Sequence, residues 1–348
     1  MEEFEKIAEE LALKDRHTEK TVLRILKHND TMVIKGLVRE ADLVRKKYMG
    51  DDVHVRAIIE FSNYCEKDCL YCGIRKSNDK LGRYRMTTEE IFDVCAEIKE
   101  CGYKTVVLQS GEDRFYRADD LAKLVRSVKE ELKLAITLSV GELPRKELVK
   151  LRDAGADRYL LKFETSDKEQ YGWLKPGSSY NTRMRCLSEL RELGFQVGSG
   201  IMVGLPGQTE ESIARDIMLF DDLGLDMVGI GPFIPHPETP LRNAAPTNLD
   251  FVLRVVALAR MLTINAHIPA TTALGTLAPD GRKKALGAGA NIVMADVTPM
   301  RYRELYEIYP NRVSLGARPS ESMKAVERLV SSAGRAVGKG YGHSHKLL

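Results

Sequence analysis

VHVRAIIEFSNYCEKDCLYCG, residues 53–73, decides how this chain is read. Its first half alternates like a strand, since side chains along a strand point to opposite faces. His54, Arg56, Ile58 and Glu60 fall on one side, and Val53, Val55, Ala57, Ile59 and Phe61 on the other. Its second half places Cys65, Cys69 and Cys72 in a CxxxCxxC spacing at the end of that strand. Three thiolates suit an iron–sulfur cluster, whose iron is held by Cys sulfur. A four-iron cluster held by three cysteines leaves one iron open for chemistry, as catalytic metal sites do. A structural zinc site needs a fourth ligand, and no second Cys/His pair follows at zinc-site spacing. Cys95, Cys101 and Cys186 stand singly in helical segments and read as small core residues.

Outward from this stretch, the chain alternates strand-like runs with amphipathic helical segments, the pattern of βαβ units in a parallel sheet. The runs cover 53–62, 105–111, 135–141, 158–165, 196–204, 227–234, 267–274 and 290–298. Eight strand–helix units over about 250 residues is the size of a (β/α)8 TIM barrel. A doubly wound sheet is the competitor, but GSGIMVG at 198–204 lacks the GxGxxG spacing of a dinucleotide loop. We expect an N-terminal helical extension over 1–50, the barrel over 51–312, and a C-terminal helix with a flexible tail over 313–348. In the extension Phe4, Ile7, Ala8 and Leu11 share a helical face, and so do Val22, Leu23, Ile25 and Leu26, with Asn29-Asp30 as a break and cap.

Composition excludes several classes. The 348 residues are 43% hydrophobic and 30% charged, the profile of a globular protein. Lys+Arg 53 against Asp+Glu 50 gives +3, too little to argue for nucleic acid. No apolar run reaches the roughly 18 residues of a membrane span, and the N-terminus lacks the pattern of a signal peptide. Six cysteines, three of them clustered, point to a reducing, cytoplasmic setting.

Parity adds a second clue. In the fourth run Arg158, Leu160, Lys162 and Glu164 share a face, the second aligns Thr105, Val107 and Gln109, and the third aligns Thr137 with Ser139. The helix-facing side must be apolar, so these polar sets point into the barrel. Unpaired ions there are costly, which leaves either a cavity holding a polar ligand or a self-satisfied network of Arg56, Glu60, Arg158 and Glu164.

The cysteine spacing with Tyr71 before the last Cys resembles the radical S-adenosylmethionine (SAM) superfamily. FSNYCEKDCLYCG, RYRMTTEEI, VVLQSGED, AGADRYLL, IMVGLPGQT, DMVGIGPFIPHPETPL, IPATTALGT and YRELYEIYP together are similar to the HydE family of FeFe-hydrogenase maturases, over most of residues 40–312. The resemblance implies one [4Fe-4S] cluster on Cys65, Cys69 and Cys72, with SAM bound to its free iron and cleaved to a 5′-deoxyadenosyl radical. It implies a SAM pocket from Tyr71, Gln109, Ser110, Gly111, Glu112, Thr137, Glu164, Arg183 and Met202. Arg183 would fork onto the SAM carboxylate and Glu164 accept from the ribose hydroxyls. Arg56, Lys162, Met227, Thr271, Thr272, Ala273 and Met294 would bind substrate, with Arg158 and Tyr306 catalytic. The implied substrate is a small organometallic iron complex carrying cysteine, carbon monoxide and cyanide, with companion maturases and a ferredoxin or flavodoxin electron donor as partners.

The alternatives are a radical enzyme for an amino-acid-like substrate, as in the methylornithine synthase and biotin synthase families, and a non-catalytic iron–sulfur scaffold. Two departures stand out. No Cys follows Cys186, so this chain's downstream residues offer no second cysteine cluster, and Lys162-Phe163 stands where one maturase of the family has Arg-His. Tyr302, Tyr306 and Tyr309 also fit an amphipathic helix stripe, and the Gly-rich tail 338–348 reads as mobile.

Overall fold

The structure is a computed structural model that describes residues 10, 11 and 18–347. Phe4, Ile7 and Ala8 lie outside the described residues. Eight parallel strands run β1 (Asp52–Ser62), β2 (Thr105–Ser110), β3 (Ala135–Ser139), β4 (Arg158–Leu160), β5 (Gln196–Val203), β6 (Met227–Pro232), β7 (Pro269–Ala270) and β8 (Ile292–Asp296). Their order around the sheet is β6-β5-β4-β3-β2-β1-β8-β7. A Met227–His267 bridge draws β6 toward β7, so the TIM barrel is nearly closed. A short β9 (Ala336–Val337) pairs with the start of β1.

Each strand faces outward with apolar residues because helices cover that side. Ala57, Ile59 and Phe61 of β1 and Val106 and Leu108 of β2 are essentially inaccessible, and all belong to the main core. Helix boundaries follow local chemistry. Thr87 and Glu90 close a capping box at the helix 88–100, and the Asp30 side chain accepts from the Met32 amide to start the helix 31–49. In the helix 18–26 Val22, Ile25 and Leu26 are buried, as their spacing predicts.

Two expected strands are shorter than their apolar runs. β4 ends at Leu160 and β7 at Ala270. Beyond β4 the chain turns at Glu164, whose φ of 66° is left-handed. Such a backbone is uncommon for a non-glycine residue and persists where neighbours over-determine it. Here the Glu164 amide donates to Gly200 O at 2.9 Å and its carbonyl accepts from Met202 N at 3.2 Å. Beyond β7 a helix begins at Thr272, so Thr271 and Thr272 stand at a strand-to-helix junction.

In the structure the described part of the C-terminal tail is packed against the barrel. Tyr341 to Ser344 pack beneath the N-terminal ends of the strands, with Gly342 and Ser344 buried. Arg158 Nη2 donates to the carbonyls of Tyr341 at 2.8 Å and Gly342 at 3.0 Å, and the Ser344 amide donates to Gln196 Oε1 at 2.8 Å. Backbone carbonyls and amides thus satisfy polar side chains that the barrel foot would otherwise bury alone.

Candidate active site

The cysteine loop leaves β1 at the C-terminal mouth of the barrel, where TIM-barrel active sites lie. Residues 63–73 contain no helix or strand, so side-chain and backbone ties must hold them. Asp68 accepts from Arg75 Nε at 2.8 Å and from the Ser77 amide at 3.0 Å. Leu70 N donates to Leu174 O at 2.8 Å, and Glu66 N to Glu112 O at 2.9 Å. The turn after β2 completes the cradle. A Cβ on Gly111 would sit 2.1 Å from the Tyr64 carbonyl oxygen, so only glycine lets that turn reach the loop. The next amide, of Glu112, points at Cys65 Sγ at 3.4 Å.

These residues fit an iron–sulfur cluster. Burial pushes the Cys65 and Cys72 thiols up, the neighbouring Cys69 raises both, and Cys65 raises Cys72 further. A polycationic cluster is the natural counterweight, since ligation requires thiolates. The three cysteines do not converge as the ligands of one ion would: among the described residues no three His, Cys, Asp or Glu side chains form a single-ion site.

Beneath the loop lies a cavity of about 370 Å³. Its wall brings together Cys65, Cys69, Cys72, Tyr71, Gln109, Ser110, Gly111, Glu112, Glu164, Arg183 and Met202, together with Lys162, Met227, Thr271, Thr272, Ala273, Met294 and Tyr306. A larger groove near helices 88–100 and 118–127 contains none of the cysteines.

Three expected residues are elsewhere. Arg56, Thr137 and Arg158 surround a separate space of only about 10 Å³ nearer the strand starts, with Gln196, Asp226 and His267. Alternation assigns a side chain to a face, but not to a height along the strand. Arg158 is the first residue of β4, and its guanidinium serves the tail, so it does not line the cavity where it was expected to act. Burial lowers the Arg158 pKa to about 10, which leaves it a cation at neutral pH. The self-satisfied network of Arg56, Glu60, Arg158 and Glu164 is absent too. Glu60 pairs with Arg312, and Glu164 with Lys162 at 2.9 Å.

Electrostatics in the cavity wall are set by these pairs. Arg183 donates through Nε to Glu142 at 2.7 Å and through Nη1 to the Lys162 carbonyl at 3.1 Å, and its Nη2 reaches Glu112 at 3.4 Å. Its fork is therefore shared with two carboxylates rather than free. Burial opposes charge on Arg183, but Tyr171, Glu142 and Glu112 outweigh it and keep the guanidinium protonated. Burial, with Glu60 and Cys72 nearby, drives the Tyr306 pKa well up, so its hydroxyl keeps its proton.

Tyr306 is not part of a helical stripe. The helix 300–303 has ended, and Tyr306 and Tyr309 enter the cavity from irregular chain while Tyr302 stacks on Tyr84 outside. Glu142, Lys175, Tyr309 and Arg312 were missed as site residues. Glu142 follows the end of β3 and was open to inference from position alone. Lys175 and Arg312 lie in loops that carry no periodic signal.

A nearly closed parallel barrel with three cysteines over a polar cavity defines a radical SAM enzyme, and the family model described as the radical SAM superfamily matches residues 59–220. The chain is 45% identical over 325 residues to the FeFe-hydrogenase maturase subunit HydE of Thermotoga maritima, covering 93% of each protein. It is 31% identical over 303 residues to 3-methylornithine synthase of Methanosarcina barkeri, covering 86% and 85%. A crystal structure of methylornithine synthase superposes with a TM-score of 0.84 at 29% identity, over 95% of this chain and 97% of that one. HydG, a maturase of the FeFe-hydrogenase, shares the fold at a TM-score of 0.79 and 19% identity, over 97% of this chain and 79% of that one. The chain belongs to the radical SAM superfamily and, within it, to the HydE family. No helix among the described residues is long and apolar enough to cross a membrane.

Proposed function

We propose that this enzyme acts in assembly of the FeFe-hydrogenase active-site cluster, on a cysteine-bound iron carbonyl cyanide precursor held inside the barrel. The observation that carries the reading is the single cavity shared by the three cysteines and by Lys162, Thr271, Thr272, Ala273 and Tyr306. In this reading Cys65, Cys69 and Cys72 hold a [4Fe-4S] cluster. When bound, that cluster supplies the electron that splits SAM into methionine and an adenosyl radical. Gly111 and Glu112 offer backbone and carboxylate to the SAM amino group, and Glu164 offers acceptors to its ribose. The Arg183 cation, already balanced by Glu142 and Glu112, contributes field to the SAM carboxylate rather than a free fork.

On the substrate side, Thr271 and Thr272 offer hydroxyls and junction amides to a carboxylate or cyanide, and the Lys162 ammonium adds charge. Met227, Met294 and Ala273 give carbonyl ligands an apolar wall. Tyr306, held protonated, is a hydrogen-bond donor. Excluding water from this volume strengthens each of these contacts. Companion maturases would supply the precursor, and a ferredoxin or flavodoxin the electron.

Anaerobic incubation of the reconstituted protein with SAM, dithionite and the cysteinyl iron dicarbonyl cyanide complex tests this. Consumption of the complex with formation of an adenosylated product is expected. A second reading, rearrangement of an amino-acid-like substrate, is favoured by the likeness to methylornithine synthase and by Lys162 in place of Arg. SAM cleavage that leaves the iron complex untouched but rearranges an amino acid to 3-methylornithine would decide for it.

A further inference from the structure

The segment 305–312 crosses the cavity mouth without helix or strand and brings Tyr306, Ile308 and Tyr309 into the wall. Irregular chain keeps a side chain in place only if something other than its own backbone ladder fixes it. Two ties bind this strap to the cysteine loop: Gly73 N donates to Ile308 O at 3.0 Å, and Asn63 Nδ2 to Leu305 O at 2.8 Å. The third tie comes from inside the barrel. Arg312 places both terminal nitrogens on the two oxygens of Glu60, Nη1 to Oε2 at 2.8 Å, and the same Nη1 donates to the Tyr306 carbonyl. Asp296 adds charge at 3.6 Å, and the Arg312 guanidinium lies 5.5 Å from the Tyr306 ring centre and 5.8 Å from that of Tyr309. Glu60 is fully buried at the end of β1, and among the described residues Arg312 is the cation that pairs with it.

We propose that Arg312 is a positioning residue for the reaction: its fork on Glu60 pulls the strap into the barrel and sets Tyr306 at its place in the cavity wall. A buried ion pair seldom repays its desolvation in stability, so its fixed, two-pronged geometry is the more telling property. The placement of Tyr306 as a reacting group rests on the function proposed above, whereas the latch itself does not.

Hydrogen exchange on the full-length reconstituted enzyme separates the two. In Arg312→Gln, amides of 304–312 and of Gly73 should exchange roughly tenfold faster, while the helix 88–100 is unchanged. Arg312→Lys keeps charge but cannot fork, and should behave like Arg312→Gln. Glu60→Gln, close in shape, tests the same latch if either Arg312 variant misfolds, and should also loosen the strap. With the cysteinyl iron complex, the loosened variants should raise KM for the complex and form more 5′-deoxyadenosine per complex consumed. Unchanged exchange in the strap, or full recovery of protection in Arg312→Lys, overturns the inference. Loosened exchange with no consumption of the complex even by wild type would overturn the functional reading and leave the latch standing.

Discussion

Arg158 Nη2 lies 2.8 Å from the Tyr341 carbonyl oxygen, so the first residue of β4 and the C-terminal segment hold each other at the barrel foot. Hydrogen bonds from a charged donor contribute about 1.5–3 kcal/mol each. Arg158→Met should therefore free the segment 338–346, seen as lost hydrogen-exchange protection there and a lower thermal midpoint. Undiminished protection would show that Gln196, His267 and Asp226 suffice to hold it.

Gly111 has no room for a methyl group, because the obstacle is the Tyr64 backbone rather than a flexible side chain. Gly111→Ala should push Tyr64 and Cys65 outward and lower iron content after reconstitution severalfold, with the circular dichroism of the barrel retained. Full iron loading would mean that the loop yields more easily than its ties suggest.

Cys69→Ala should abolish cluster binding, read as loss of visible absorbance and bound iron. Cys95→Ala, at a fully buried site in the helix 88–100, should bind iron normally and lose only a small packing contribution of about 1 kcal/mol. Equal iron loss in both variants would contradict the assignment of Cys69 as a ligand.

Asp216 supports the turn just beyond Glu164 by accepting from the Ser166 amide, and burial pushes its pKa to about 6 from 3.8. A raised carboxylate binds its proton more tightly in the native state. Its neutral form is therefore favoured by folding at low pH, and stability falls as pH rises from about 4 through 6. Asp216→Asn removes this term, so the stability difference between variant and wild type should change by roughly 2–4 kcal/mol across that window. Parallel thermal melts from pH 4 to 7 would give the difference directly, and a constant offset would refute the shift.

Much of the fold was legible because periodicity and caps are local signals. The eight apolar runs each contain a strand, and a local capping box of Thr87 and Glu90 starts the helix 88–100. Site residues attached to motifs or strand ends, such as Cys69, Gln109 and Thr271, also fall in one cavity. Depth was not legible. Arg56 and Ile58 share a face of β1, yet Ile58 lines the cavity and Arg56 the small space below it. At about 3.3 Å per residue, two positions move a side chain by more than its own contact distance. Arg312 had no signal at all, because only the folded barrel brings residue 312 against Glu60.

β1 pairs with β2, which follows it closely, but its other edge pairs with β8 and β9, joining His54 to Ile292 and Val53 to Val337. Contacts of such long sequence separation form late and slowly, because loop closure must be paid for in entropy first. Until then β1 presents an open, apolar edge, the kind of surface through which partly folded chains aggregate. The strand that ends in the cysteine loop thus completes its pairing only once residues 292–337 are in place, and the yield of correctly folded enzyme should depend more on how fast they arrive than on the strength of the early strands.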